Sequence, residues 1–192
     1  MTRSSALQAF LDQSGAALRS STTGEGARAA ERARALWQVP GAAGNRAPVL
    51  LPVCGHLAPA LAAAAQGPRA PLAAAFAALA PGLAWHRKAS ADPGDAGFWA
   101  GHANAMILGP GGLEERADLW IGATLMAPGT TYPDHTHPPE EVYLSLVPGE
   151  WGNAAMDWAD PGPLGHVYNP PGILHRMRAL SVPFLALWFL PI

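Results

Sequence analysis

The second half of the chain is divided into short apolar runs by turns rich in proline and glycine. The runs Ala105–Leu108 and Ala117–Met126 are separated by Gly109-Pro-Gly-Gly, and the run Val182–Leu190 is apolar on both faces. Short segments with regular turns between them are typical of β-strands in a sandwich or barrel. We therefore expect residues 81–192 to form a mainly β domain.

The first eighty residues have a different character, because alanine-rich segments with helical spacing dominate them. Ser4 or Ser5 can cap a first helix over 4–20. Further helices are predicted at 25–37, 55–66 and 71–80. Alanine-rich helices of this length are marginally stable alone. Residues 1–80 are therefore expected to form a helical layer on the barrel.

The run Val142–Val147 indicates where such a layer is needed. Tyr143 lies on one face of the predicted strand, whereas Val142, Leu144 and Leu146 form an apolar opposite face. An apolar face of this kind must be covered, by the N-terminal helices in a monomer or by a second copy in a homodimer. Cover by the helices is the favoured alternative.

Composition excludes several classes of function. The net charge of −2 gives no electrostatic case for a nucleic-acid partner or an anionic membrane surface. No apolar run is long enough to cross a bilayer, and the first residues do not form a signal-peptide core. The single Cys54 rules out an intramolecular disulfide. A cytoplasmic protein is expected.

The chemistry of the chain is concentrated in the segment from Tyr132 to Tyr143. Its pattern is H-x-H-x3-E-x-Y, formed by His135, His137, Glu141 and Tyr143. Side chains two apart on an extended segment share a face, and Pro138-Pro139 prevents a helix here. Two imidazoles, a carboxylate and a phenol can therefore converge on one point.

A further histidine from a distant part of the chain can join the same site. The sequence Pro170-Pro-Gly-Ile-Leu-His175 brings His175 from a second strand or turn. His135, His137, Glu141, Tyr143 and His175 together are a suitable ligand set for one divalent transition metal ion with positions left for a substrate. Such a mixed set suits Fe(II), Zn, Mn, Co and Ni alike.

These residues resemble the two motifs of the cupin superfamily. Gly129 to Glu141 has the spacing of the first motif, G-x5-H-x-H-x3-E, and 170–175 fits P-x-G-x2-H of the second. The departures lie at turns: Pro148 stands where the first motif ends in glycine, Gly165 comes one residue late, and Ala179 replaces an asparagine. The resemblance implies a double-stranded β-helix, or jelly-roll, barrel.

The runs YPDHTHPPEEVYLSL and GHVYNPPGILHRMRAL are similar to the dimethylsulfoniopropionate (DMSP) lyases of the DddQ type. The resemblance implies cleavage of DMSP to dimethyl sulfide and acrylate, with the substrate carboxylate on the metal. It makes Tyr143 the base and an occasional ligand. It also implies that Tyr132 helps to hold or deprotonate the substrate.

The residues themselves agree with an elimination reaction. Tyrosine is a poor base at neutral pH, but a neighbouring cation stabilises its anion. A tyrosinate can then remove the proton beside a metal-bound carboxylate. Two alternatives use the same ligands: another cupin enzyme, such as an iron-dependent dioxygenase or an isomerase, and a non-catalytic cupin that binds a small molecule.

The remaining histidines and tryptophans are assigned more ordinary roles. His86 and His102 are expected to be hydrogen-bonded core or rim residues, and His166 is a candidate to point inward behind the ligands. Four tryptophans are expected first in the core, and one or two of them at a pocket wall: Trp85, Trp99, Trp120 and Trp188.

Overall fold

The computed structural model describes residues 3–192. The helices in this part of the chain are α1 (Ser5–Ser21), α2 (Gly24–Leu36), α3 (Leu57–Ala64), α4 (Ala70–Leu79) and α5 (Ala96–Gly101), with short 3-10 helices at Pro52–His56 and Ala80–Gly82. The Ser4 side chain caps α1 by accepting from the backbone N–H of Leu7, as its position in the sequence predicted. Within the described residues, no helix combines the length and apolar character that a membrane span needs.

The strands form two sheets. They are β1 (Ala42–Ala43), β2 (Trp85–His86), β3 (His102–Leu108), β4 (Glu114–Glu115), β5 (Leu119–Met126), β6 (Thr131–His135), β7 (Glu141–Val147), β8 (Glu150–Asn153), β9 (Met156–Ala159), β10 (His166–Asn169), β11 (His175–Arg178) and β12 (Phe184–Pro191). The larger sheet has the order β1-β4-β3-β5-β12-β7-β10, with β2 paired to β3, and the smaller has the order β6-β11-β8-β9.

The two sheets pack face to face around an inner cluster of apolar and aromatic side chains. The large sheet contributes Tyr143 and Phe184, and the small sheet contributes Trp151. The ring of Trp151 lies 6.0 Å from that of Tyr143 and 5.0 Å from that of Phe184, so it joins the sheets. The space between the sheets is therefore filled by side chains around Trp151.

The outer face of the large sheet is covered by the helices. Val142 and Leu144 of β7 belong to the same buried cluster as Phe10 of α1 and Phe76 of α4. Side chains of β7 alternate between this outer cluster and the inner one, as the period of a strand requires. The fold is thus a mainly β cupin-type barrel with an N-terminal helical layer, as expected from the sequence.

Candidate metal centre and adjoining cavity

Strand pairing places two of the predicted ligands opposite each other. His135 ends β6 and His175 begins β11, and the two are register partners in the small sheet. Their ring centroids are 4.0 Å apart. His137 lies two residues beyond β6, with its ring 4.9 Å from that of His175. One possible ligand atom from each of the three lies within 4.8 Å of the others.

Hydrogen bonds at the Gly172 turn link the segment before His175 to the segment that contains His135 and His137. Gly172 has a φ of +72°, a conformation that glycine adopts without strain. Its N–H donates to the carbonyl of His137 at 3.0 Å, and its own carbonyl accepts from Thr136 Oγ1 at 2.8 Å. Because backbone groups and the Thr136 hydroxyl make these connections, the imidazole rings take no part in them.

Each of the three histidines uses one ring nitrogen to hold its orientation. Nδ1 lies 2.9 Å from a carbonyl oxygen in every case: Pro133 for His135, Pro139 for His137 and Ile173 for His175. A carbonyl only accepts, so each Nδ1 carries a proton and donates it. In the neutral ring this leaves the lone pair on Nε2, which is the arrangement found in histidines that bind metals.

Glu141 supplies the carboxylate at the point where the Nε2 atoms meet. It begins β7 and is buried, and its Oε2 lies 3.3 Å from Nε2 of both His137 and His175. Asn169 of β10, its register partner, donates to the same oxygen at 3.2 Å. Burial raises the pKa of Glu141, but its close contacts with His137 and His175 prevail and hold that pKa well below its usual range.

The imidazoles have unequal proton affinities. Burial, together with the charges of His175 and Lys88, lowers the pKa of His135 to about 3, so this ring is neutral at physiological pH. Burial also lowers the pKa of His137, but the hydrogen bond and charge of Glu141 outweigh it and raise that pKa above its ordinary value. Glu141 therefore favours positive charge at His137, whether that charge is a proton or a metal ion.

A buried nitrogen without a partner tests whether a metal fits here. Among the described residues, His175 Nε2 is buried and makes no hydrogen bond, although it lies 3.3 Å from Glu141 Oε2. A lone pair facing a carboxylate in a buried site is unfavourable unless a cation lies between them. The residues thus fit a divalent ion. Fold and donor set define the class: a cupin-type barrel with a candidate metal centre.

Both predicted tyrosines lie beside this centre and are 3% exposed. Tyr143 follows Glu141 by two residues on β7 and shares its face. Tyr132 lies on β6 with its ring 4.7 Å from that of His135, and its Oη accepts from Asn104 Nδ2 at 3.1 Å. Burial and the charge of Glu141 raise the pKa of Tyr143 well above its ordinary value. Burial also raises the pKa of Tyr132, against the hydrogen bond from Asn104.

A cavity of about 240 Å³ opens onto these groups. Its wall includes five of the predicted site residues: Tyr132, His135, His137, Glu141 and Tyr143. The sixth, His175, is 1% exposed and lies behind them. The other wall residues were not assigned to the site from the sequence: His86, Lys88, Ala89, Asn104, Met106, Trp120, Thr124, Trp188 and Leu190.

Comparison with known proteins gives the family. A family model described as dimethylsulfoniopropionate lyase matches residues 25–186, which is most of the chain. This chain belongs to the dimethylsulfoniopropionate lyase family.

Two curated relatives are similar in sequence. The DddL protein of Cereibacter sphaeroides, which carries the name of a DMSP lyase, is 35% identical over 137 residues, or 71% of this chain and 57% of the relative. The DMSP lyase DddQ of Ruegeria pomeroyi is 37% identical over 84 residues, or 42% of this chain and 41% of the relative. The matches therefore span little more than half of the first relative and less than half of the second.

Solved structures show the same fold. The crystal structure of DMSP lyase DddQ from Ruegeria pomeroyi superposes with a TM-score of 0.75 at 24% identity, covering 99% of this chain and 93% of that one. A second structure, from work on the DMSP lyases RdDddP and RnDddQII, gives a TM-score of 0.74 at 23% identity, covering 97% and 92%. At this identity the likeness shows that the helical layer and the barrel are arranged alike.

Proposed function

We propose that this protein is a metal-dependent DMSP lyase that cleaves DMSP to dimethyl sulfide and acrylate by β-elimination. The observation that supports this most is the convergence of three imidazole Nε2 atoms, a buried carboxylate and two tyrosines on one cavity. Membership of the DMSP lyase family supports DMSP as the substrate. The similar protein DddQ of Ruegeria pomeroyi carries the name of the same activity.

In this proposal His135, His137, Glu141 and His175 hold one divalent ion, and Tyr143 is an occasional fifth ligand. Fe, Zn, Mn, Co and Ni all suit the donor set. When bound, the ion supplies a Lewis acid that holds the substrate carboxylate, acidifies the adjacent carbon and stabilises a neighbouring tyrosinate.

Tyr143 is the proposed base. Its phenolate oxygen takes a proton from the carbon next to the substrate carboxylate. The electron pair of that C–H bond forms the double bond of acrylate, while the C–S bond breaks and its pair leaves with the sulfur. The sulfonium becomes neutral dimethyl sulfide, acrylate keeps the negative charge, and the proton remains on Tyr143 Oη. Tyr143 is itself 3% exposed, which limits the contact of its phenol with bulk water.

Tyr132 has a supporting part in the proposal. Its ring packs between Phe98 and His135, at centroid distances of 4.6 and 4.7 Å, and its Oη already accepts a hydrogen bond from Asn104. An oxygen that accepts from an amide retains its own O–H for donation into the cavity. We therefore assign Tyr132 to holding the substrate and Tyr143 to removing the proton.

Residues 1–80 are proposed to act as a covering layer and residues 81–192 as the metal-binding barrel. Val142 and Leu144 of β7 are fully buried beneath the helices, so this face needs no second copy to cover it. We accordingly favour a monomer over a homodimer. A mass measured by light scattering at low protein concentration distinguishes the two.

Headspace analysis of purified protein with DMSP tests the proposed function. Dimethyl sulfide should appear with added divalent metal, should be lost with a chelator, and should form equally well without oxygen. A requirement for O₂ together with iron would favour the dioxygenase alternative, and tight binding of DMSP without turnover would favour the binding protein.

A further inference from the structure

The cavity contains the one lysine of the chain. Lys88 stands alone among eleven arginines, and it lies on the cavity wall with Tyr132, His135 and Glu141. Lysine presents a compact charge on a flexible stem, whereas arginine presents a planar fork. The single lysine of the sequence therefore lies on the wall of the cavity that adjoins the candidate centre.

His102 fixes the backbone of Lys88. Nδ1 of His102 donates to the carbonyl of Phe98 at 2.5 Å, and its Nε2 accepts from the backbone N–H of Lys88 at 2.9 Å. The His102 ring also stacks on Phe98 with centroids 3.6 Å apart. His102 is thus the hydrogen-bonded core residue that the sequence predicted, and its contacts hold the chain so that the Lys88 side chain reaches the cavity.

The Lys88 ammonium lies close to the candidate centre. Nζ lies 5.5 Å from the ring centroid of Tyr132, on which the His135 ring also packs at 4.7 Å. Among residues 3–192, no carboxylate forms an ion pair with Lys88 within 4.0 Å. A half-buried cation without a paired anion is costly, which favours an anion from outside the chain.

We propose that the Lys88 ammonium binds the carboxylate of the substrate, in addition to the divalent ion that the proposed function assigns to it. This inference rests on the proposed function, because DMSP carries one carboxylate and one sulfonium. A carboxylate gains a charge-assisted hydrogen bond from the ammonium, whereas a sulfonium is repelled by it. Lys88 therefore orients the zwitterion with its carboxylate towards Lys88 and its sulfonium away.

The cavity also offers aromatic faces for the other end of the zwitterion. Trp120 and Trp188 line it, and within the described residues no basic side chain stacks on either of them. Aromatic faces attract organic cations. Trp188 is held by its Nε1–H, which donates to Thr124 Oγ1 at 3.2 Å. The cavity thus presents an ammonium that attracts an anion and aromatic faces that attract a cation, a combination suited to a zwitterion.

Because the chain has one lysine, Lys88 can be observed directly. Reductive methylation with ¹³C-formaldehyde retains the charge of the amine and gives an NMR signal from Lys88 beside that of the α-amino group. The Lys88→Met protein assigns the signal. In the zinc-loaded protein, acrylate should shift the Lys88 signal saturably, whereas trimethylsulfonium should not. A Lys88 signal that stays fixed at acrylate concentrations that fully inhibit turnover would overturn the inference.

Kinetics give a second, independent readout. Lys88→Met keeps a stem of similar length and should raise KM for DMSP about 10-fold or more, as expected for loss of a charge-assisted hydrogen bond. Lys88→Arg should recover part of this loss. Arg46→Met removes an exposed positive charge elsewhere and should leave KM unchanged.

Failure of the inference and failure of the proposed function give different results. If dimethyl sulfide is released normally and Lys88→Met has an unchanged KM, the lyase assignment stands and the role of Lys88 is wrong. If no dimethyl sulfide forms but acrylate still shifts the Lys88 signal, the carboxylate site stands and the lyase assignment is wrong.

Discussion

Glu140 and Glu141 are neighbours in the sequence, but their carboxylates lie on opposite sides of the barrel wall. Glu140 pairs with Arg32 of α2 and accepts from Tyr168 Oη at 2.9 Å. Glu141 turns inward, 3.3 Å from Nε2 of His137 and of His175. One carboxylate thus attaches the helical layer to the barrel, and the other belongs to the candidate centre.

This relationship provides a matched pair of variants. Glu141→Gln should lose most bound metal and nearly all lyase activity, because a neutral amide replaces the single carboxylate of the donor set. Glu140→Gln should retain both, with a small loss of stability of about 0.5–1 kcal/mol for a partly exposed pair. Metal content by elemental analysis, measured with activity, checks this. If Glu140→Gln lost its metal and activity while Glu141→Gln kept both, Glu140 would be the ligand and the predicted register of the strand would be wrong by one residue.

Removal of an imidazole should be equally specific. In His175→Ala, bound metal should fall to a small fraction of the wild-type content. One nitrogen ligand is lost, and the remaining ligands hold the ion less tightly. Folding, followed by circular dichroism, should be largely kept, since no other described residue hydrogen-bonds His175 Nε2. Full metal occupancy in this variant would remove His175 from the ligand set.

A buried carboxylate far from the site should control stability at acid pH. Glu114 accepts from Arg3 at 2.6 and 2.9 Å and from the N–H of Gly41 at 2.9 Å. Burial raises the pKa of Glu114, but the hydrogen bonds and charge of Arg3 prevail, so the pKa lies below the ordinary 4.5. The ionised form is therefore favoured by folding, and its contribution to stability is complete above pH 4.5 and is lost as pH falls through the folded pKa.

Glu114→Gln should accordingly lower the free energy of unfolding at pH 7 by about 2 kcal/mol, the range for hydrogen bonds to a charged group. The difference from wild type should narrow as the pH falls below 4.5. Urea unfolding at pH 7 and pH 4 measures both quantities. A difference that is constant with pH would show that the ionised state of Glu114 is not what Arg3 stabilises.

The position of Trp188 on the cavity wall depends on a glycine opposite it. Trp188 and Gly122 are register partners on β12 and β5, and a Cβ at Gly122 would lie 2.2 Å from the Trp188 ring. Gly122→Ala should therefore displace the indole and destabilise the protein by about 1–3 kcal/mol. Thermal unfolding and tryptophan fluorescence measure these effects. Gly55→Ala, at an exposed position with no atoms within 4 Å of the added Cβ and no positive φ, is a control for loss of glycine alone.

Local signals in the sequence were sufficient for much of the fold. The Ser4 cap and the apolar spacing after it predicted a helix over 4–20, and the structure has one at Ser5–Ser21. The apolar faces of Val182–Leu190 predicted a strand buried from both sides, and β12 is that strand. By contrast, α5 was not predicted, because its six residues include two glycines. Its start is set instead by Asp95, which accepts from the N–H of Phe98.

The site was predictable only where its residues share a motif. The candidate ligands were proposed from their spacing, whereas Lys88 and Asn104 reach the cavity only when the barrel closes, and no sequence spacing relates them to His135. The inward orientation considered for His166 was wrong. Its register partner is Leu144, on the outer face, while Asn169 is opposite Glu141. The parity of β10 therefore turns His166 towards Gly26 of α2 and directs Asn169 to the centre.

The most direct test of the proposed reaction is the rate of dimethyl sulfide release by Tyr143→Phe. The ring still packs against Trp151, and only the ionisable oxygen is removed. Metal should remain bound through His135, His137, Glu141 and His175, while turnover should fall by about 10²-fold or more, as expected for loss of a positioned base. If this variant kept its metal and released dimethyl sulfide at nearly the wild-type rate, Tyr143 would not be the base and the proposed mechanism would be contradicted.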